Sequence, residues 1–408
     1  MRVHSVRSPT SQSVHLSTGG TQSVGKPLSV GPLVVGTVTV VVGPVEVVDL
    51  PASAFVDEHA ASGTVASTTA ARAKDRGVRR MPSRYRWKTA PMIFGCFVPQ
   101  GWKLELASIP DPRDQWALTV ETARLAEELG FDSVWVYDHF HNVPTPSHET
   151  VFECWSTMAA LAQATSTVRL GQMVSCAGYR NPAYVAKVTS TIDVISGGRL
   201  DWGIGAGWYD TEYRAYGYDY PSNADRIRML RETVEIVKLM WSEPDATYEG
   251  RHFSVDGAQC DPKPLQQPNP PVWIGGGGEQ LTLRVVAQHA DYSNFGGNLE
   301  WWAHKNEVLK QHCSDVGRDS DEIVRTWTPE VFIRETEAEI LEAGTQSAWG
   351  EPFESWRDGN LVGTPEQVCE RLAAYQAVGL GGVVPWCSDY PSHETLRLLG
   401  EQVLPEFK

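Results

Sequence analysis

The stretch Leu170–Trp208, LGQMVSCAGYRNPAYVAKVTSTIDVISGGRLDWGIGAGW, constrains the fold of this chain more than any other. Val168–Ser175 reads as an apolar strand. Asn181-Pro182 then offers a helix cap and a proline whose fixed φ suits the first helical position. Val185, Val188, Ile192 and Ile195 follow on one face of a helix, and Gly197-Gly198 stops it. Leu200–Ile204 is a second strand that runs into a glycine-rich turn. Strand, helix and strand in this order form a βαβ unit, which pairs parallel strands through a crossover helix.

The same alternation runs through most of the chain. The pattern predicts eight strands: Ile93–Val98, Val134–Tyr137, Val168–Ser175, Leu200–Ile204, Val272–Ile274, Tyr292–Phe295, Ile323–Trp327 and Gly382–Pro385. After the loop Pro99–Pro112, a helix carries Leu118, Leu125 and Leu129 on one face and stops at Gly130. Further helices are expected over Thr157–Ala164, around Ile227, Leu230, Val234 and Val237, and over Gln280–His289. Thr364-Pro365-Glu366-Gln367 is a capping box that opens a helix bearing Val368, Leu372 and Tyr375. A closing helix covers His393–Val403. Tyr248–Val255 reads as a surface hairpin or extended insertion, and Thr328–Val362 as a long polar and aromatic insertion. Eight βα units point to an α/β chain folded as a (β/α)8 TIM barrel with insertions, not a doubly wound sheet with one dominant phosphate loop. The residues just after each strand are then the ones to weigh, because such barrels place their active sites there.

Residues 1–90 form an N-terminal extension ahead of the barrel, which spans 91–408. The first 80 residues are rich in Ser, Thr, Val and Gly, and all fifteen Trp lie at Trp87 or later. Three readings are open: a disordered tail, a small accessory β element, or a start placed upstream of the true one, with Met81 and Met92 both preceding the first strand. The valine-rich run from Gly31 to Leu50 is interrupted by glycine, proline and acids, which fits neither a membrane span nor a signal peptide. Deleting residues 1–80 is expected to leave soluble yield and cofactor binding intact, as expression and ligand titration of the truncated chain would show.

A net charge of −15 argues against a nucleic-acid partner. The seven cysteines are scattered and include no CxxC pair, the usage of reduced cytosolic thiols and not of a disulfide framework or zinc site. No HExxH, GxSxG or P-loop motif is present. The expectation is a cytoplasmic homodimer acting on a small molecule, with no membrane partner.

Asp138-His139 ends the second strand. His139 is either a general acid or base at a barrel mouth or a plain strand cap, and Asp138 either orients it or bonds a cofactor. Ser175-Cys176 ends the third strand, where a hydroxyl could bond a cofactor ring or merely pack. Gly203-Ile204-Gly205-Ala206-Gly207 resembles a dinucleotide loop, but Trp208 fills the position that GxGxxG reserves for glycine. Those glycines are read as letting a planar ring approach the backbone. Gly275–Gly278 opens a helix after the fifth strand and suits a phosphate or a tight turn, with Arg180, Lys187 and Arg284 as possible charge partners.

The strings VWVYDHF (134–140), LGQMVSCAGYRNPAYVAKVTSTIDVISGGRLDWGIGAGWYDTEYRAYG (170–217), RIRMLRETVEIVKLMWS (226–242), PVWIGGGGEQLTLRVVAQHAD (271–291) and GTPEQVCERL (363–372) resemble the bacterial-luciferase-like superfamily. Within it they resemble most the oxidoreductases that use the deazaflavin coenzyme F420. The resemblance implies a (β/α)8 barrel with the ring at the strand C-termini and His139 as catalytic acid or base. It implies that Asp138 contacts ring or substrate, and that a non-prolyl cis peptide at Met173-Val174 presses against the ring. Ser175 would be its hydroxyl contact, Ala206 and Gly207 would line its edge, and Gly276, Gly277 and Gly278 would hold the phosphate. Sugar-phosphate dehydrogenases of this group carry a catalytic Glu where this chain has Trp208. Trp102, Trp135, Trp202 and Trp208 could wall such a site, with core packing the plainer role for Trp135 and Trp202. The implied activity is hydride transfer between F420 and a small organic substrate; the alternatives are an FMN-dependent monooxygenase using reduced FMN and O2, and a flavin-binding protein without catalysis.

Overall fold

The computed structural model describes residues 91–408; the N-terminal extension lies outside them. Eight parallel strands make up the barrel: β1 (Ile93–Phe97), β2 (Ser133–Val136), β3 (Arg169–Gln172), β4 (Leu200–Gly205), β5 (Val272–Gly275), β6 (Tyr292–Asn294), β7 (Val324–Trp327) and β8 (Gly382–Val383). The hydrogen-bonded order runs β3-β2-β1-β8-β7-β6-β5-β4, and β3 pairs with β4, which closes the ring. Every strand expected from the sequence is present, with ends shifted by a few residues. The third is broken: the chain leaves β3 at Gln172, passes through a cis Met173-Val174 peptide, and rejoins the sheet at Ser175–Cys176, which pairs with Ile204 and Gly205 of β4.

The helices stand where local signals put them. Asn181 caps Pro182–Ser196 by accepting from the Ala183 amide, and Gly197 ends it in the left-handed region at φ 70°. Both halves of the Thr364–Gln367 capping box are made, opening Pro365–Ala377. The helix after β5 is shorter than expected and begins at Thr282. The first helix, Pro112–Glu128, buries Gln115, Thr119, Thr122, Ala123, Leu125 and Ala126, a small and polar face, so of the three expected leucines only Leu125 is fully buried. Two of its buried polar groups find backbone acceptors: Thr119 Oγ1 donates to the Pro99 carbonyl at 2.7 Å and Gln115 Nε2 to the Ile109 carbonyl at 2.8 Å.

Two regions carry more structure than the sequence suggested. Leu299–Val316 is an 18-residue helix between β6 and β7. Thr328–Val362 holds a strand, Glu330–Ile333, two short helices, Glu337–Ala343 and Phe353–Gly359, and most of a second strand, Leu361–Gly363. These two strands form a parallel three-stranded sheet with Trp386–Cys387, after β8. Ala246–Glu249 and Ser254–Ala258 form the expected antiparallel hairpin.

Large aromatics fill the barrel floor. Trp135 from β2 meets Trp273 of β5 edge-on at 4.6 Å, and Trp273 stacks on Tyr292 at 4.0 Å. Room for the Trp135 indole comes from Gly95 and Gly171, where any Cβ would overlap its ring. Trp202 is also fully buried, against Trp241. Both residues are therefore core. Among the described residues no helix is long and apolar enough to cross a membrane.

Candidate active site

The strand C-termini open into a cavity of about 440 Å³, within the usual range of ligand pockets of about 300–1,000 Å³. Its wall includes Asp138 and His139 after β2, Met173 and Val174 after β3, Gly205–Trp208 after β4, and Gly275 and Gly276 after β5. Of the sequence-predicted positions, Asp138, His139, Met173, Val174, Ala206, Gly207 and Gly276 line this mouth, and Ser175, Gly277 and Gly278 do not.

His139 is the polar centre of this wall. Its Nδ1 lies 2.8 Å from Glu212 Oε2. Glu212 sits on a short helix, Asp210–Ala215, and is fully buried. It also accepts from the amides of Phe140 (2.7 Å) and His141 (2.8 Å) and from the Tyr179 hydroxyl (2.7 Å). Burial alone would raise the Glu212 pKa, but these hydrogen bonds, His139 first, outweigh it and hold the carboxyl below its usual range. An ionised carboxylate only accepts, so Nδ1 of His139 carries a proton, and Nε2 is the nitrogen left for a ligand. The imidazole stacks on Trp102 at 4.3 Å and 3°, which fixes its plane. The loop bearing Trp102 is itself pinned: Glu105 accepts from the amides of Gln100, Gly101 and Lys103.

Asp138 serves the wall. Its carboxylate takes two hydrogen bonds from Arg180, at 2.6 and 2.9 Å, and one from the Cys176 amide at 2.9 Å. Burial opposes the Arg180 charge, yet Asp138 more than offsets this and keeps the guanidinium above its usual range. Arg180 is thus committed to Asp138 and Glu153 and is not a phosphate partner. Lys187 donates to the Asp261 carbonyl, and Arg284 is exposed.

Ser175 is placed differently from the expectation. Its hydroxyl is buried and donates to the Gly203 carbonyl at 2.6 Å, while its neighbours Val174 and Cys176 face the cavity. Cys176 Sγ lies 2.9 Å from the Tyr213 hydroxyl, and burial pushes the thiol pKa up to about 12, so it is no thiolate nucleophile. The glycines at the ends of β4 and β5 also have a steric reason within the chain itself. A Cβ at Gly203 would overlap the Gln172 carbonyl, one at Gly205 would lie 2.5 Å from Val174 Cγ2, and one at Gly275 would lie 2.7 Å from Val174 Cγ1. They make room for the chain's own Met173-Val174 bulge, which lines the cavity together with Gly205 and Gly275.

At the other end, the Gly276 amide donates to the Asn294 carbonyl at 2.9 Å and is unavailable to a ligand. The amides of Gly277 and Gly278 have no acceptor among the described residues. The Lys305 side chain passes close to Gly277 and pairs with Glu279 at 2.5 Å. The Gly277 and Gly278 amides with Lys305, in the loop ahead of the helix that starts at Thr282, are therefore the candidate anion contact.

The sequence profile of the luciferase-like monooxygenases matches residues 92–351. The chain belongs to the luciferase-like monooxygenase family. It is 26% identical over 359 residues to an FMNH2-dependent dimethylsulfone monooxygenase of Pseudomonas putida, covering 77% of this chain and 95% of that protein. It is 27% identical over 330 residues to an F420-dependent glucose-6-phosphate dehydrogenase of Amycolatopsis mediterranei, covering 73% and 95%. The fold resembles that of an F420-dependent secondary alcohol dehydrogenase, solved with an F420-acetone adduct, with a TM-score of 0.66 and 19% identity over 78% of this chain and 99% of that one. This luciferase-like protein is thus an α/β enzyme-family barrel whose relatives divide between deazaflavin and flavin chemistry.

Proposed function

We propose that this protein transfers a hydride between coenzyme F420 and a small organic substrate. The observation that carries the reading is His139, held by Glu212 through Nδ1 with Nε2 free at the cavity wall. The residues present fit a planar tricycle with an anionic tail. Met173 and Val174 offer a flat apolar face, Ala206 and Gly207 an edge, and the Gly277 and Gly278 amides with Lys305 a place for phosphate. When bound, the deazaflavin supplies a site that accepts or gives up one hydride. The chain supplies position, exclusion of water and a proton site. His139 Nε2 takes the proton that a carbinol releases on oxidation, and returns it to a carbonyl in the reverse direction. Trp102, stacked on the imidazole, keeps Nε2 aimed. Trp208 stands where the sequence resemblance puts an acid in sugar-phosphate dehydrogenases, which separates this chain from that substrate.

The dimethylsulfone monooxygenase relative favours a second reading, an FMN-dependent monooxygenase. Titration of the protein with F420 and, separately, with FMN decides between them. The expected result is F420 binding at least about tenfold tighter, a difference of about 1.4 kcal/mol. FMN binding without F420 binding, joined to substrate-dependent O2 uptake with reduced FMN, would establish the second reading. Cofactor binding without turnover of any substrate would leave a flavin-binding protein.

A further inference from the structure

Three tryptophans from three separate segments meet over His139. Trp102 comes from the loop after β1, Trp208 from the turn after β4, and Trp349 from the insertion between β7 and β8. Trp349 lies edge-on to Trp102 at 5.9 Å and to Trp208 at 6.4 Å, and Trp208 lies edge-on to His139 at 5.9 Å. Trp208 is 54% and Trp349 41% exposed. Large rings left in solvent beside a cavity mark a surface that a ligand covers. Both rings are held in place, Trp208 stacked on Tyr209 at 5.1 Å and Trp349 by its two edge contacts, so the mouth is a formed slot.

The charges around this slot are all taken. Asp138 is saturated by Arg180 and the Cys176 amide. Arg226, the cation on the cavity wall, donates to the carbonyls of Gly207 and Pro221 and to Asn223 Oδ1, and packs over Tyr220 at 4.0 Å. Lys103, next to Trp102, is paired with Glu330 at 3.1 Å and lies over Trp386. A charged substrate would lose its water here and find no counter-ion. What remains is His139 Nε2 together with the buried, unpartnered hydroxyls of Tyr137 and Tyr209 and Nε1 of Trp102, neutral polar atoms set among aromatic rings.

We infer that the substrate is a neutral, planar molecule, aromatic or cyclic, that lies against the exposed rings of Trp208 and Trp349 with an oxygen on His139 Nε2. The inference rests on the hydride-transfer reading of the same cavity and adds the substrate class and Trp349 as a specificity residue.

The test is a binding panel of acetophenone, acetone, benzoate and glucose 6-phosphate, followed by tryptophan fluorescence with and without the bound cofactor. Acetophenone is expected to bind about tenfold or more tighter than acetone, because ring contacts add to a shared carbonyl contact. Benzoate and glucose 6-phosphate are expected not to bind. Trp349→Ala should remove most of the acetophenone preference while cofactor affinity stays unchanged, and Trp349→Phe should restore it. Equal affinity for acetone and acetophenone, preferred binding of either anion, or an unaltered preference in Trp349→Ala would overturn the inference. A protein that takes neither cofactor defeats the hydride-transfer reading, and the panel still reports whether the slot selects neutral rings.

Discussion

His139→Ala lowers kcat by about 10²–10⁴, the usual contribution of a positioned acid or base, and leaves cofactor affinity within about twofold of wild type. The reason is geometric. The imidazole is held through Nδ1 at the cavity wall, while the proposed ring face is Met173 and Val174 and the proposed tail site, Gly277 and Gly278, lies beyond the cavity lining. Glu212→Gln is the sharper companion. The amide keeps the shape of the carboxylate and can still accept from Phe140 and His141, but it presents an N–H toward Nδ1. The ring must then accept at Nδ1 and carry its proton on Nε2, which converts a base into a donor. A loss in kcat of about 10²-fold is expected, with wild-type circular dichroism and an imidazole ¹⁵N spectrum that switches from the Nδ1–H to the Nε2–H tautomer. A merely structural Glu212 would change stability without that switch. Unchanged turnover in His139→Ala would remove the residue from the chemistry.

Glu212 also shows where sequence reading ends. It lies 73 residues from His139, on a six-residue helix in DTEYRA that gives no clean start signal, and only the closed barrel brings the two together. The eight strands were legible because their cues are local: short apolar runs, followed by glycine, proline or a cap. Asn181, Gly197 and the Thr364–Gln367 box behave in the structure as their types dictate. Leu299–Val316 was not legible because its buried face is Trp302, Asn306, Leu309 and Cys313, half of it weakly apolar. Its ends did carry signals, Asn298 as cap and Gly317 as left-handed stop. Pro112–Glu128 misleads for a related reason: its inward face is Thr and Ala, which hydropathy reads as surface. Ser175 follows from strand parity. Once the bulge at Met173-Val174 interrupts β3, the residues facing the cavity become Val174 and Cys176, a shift that no periodic pattern displays. The resemblance located the bulge; no local residue pattern signals that Gly203 and Gly205 admit it.

That last relation makes the second large prediction. Gly203→Ala destabilises the protein by about 3–5 kcal/mol, at or beyond the upper end of overpacking costs. The added Cβ would overlap the Gln172 carbonyl, which belongs to backbone and cannot swing aside. Gly203 is fixed from both sides: its carbonyl accepts from Ser175 Oγ, and its neighbours Trp202 and Ile204 are paired with β5. Relief would require parting β3 from β4 where the ring closes, or moving the bulge that faces the cavity. With a native margin of about 5–15 kcal/mol, the variant should lose on the order of 10 °C in Tm and much of its soluble yield. Gly359→Ala is the control, since it sits at a helix end with nothing within 4 Å of its would-be Cβ. It should be neutral or raise stability by about 0.4–1 kcal/mol. Scanning calorimetry of both variants separates them. A Gly203→Ala Tm within about 2 °C of wild type would mean that the chain before the bulge does not press on β4 as described, and with it would go the physical reason for glycine at this strand position.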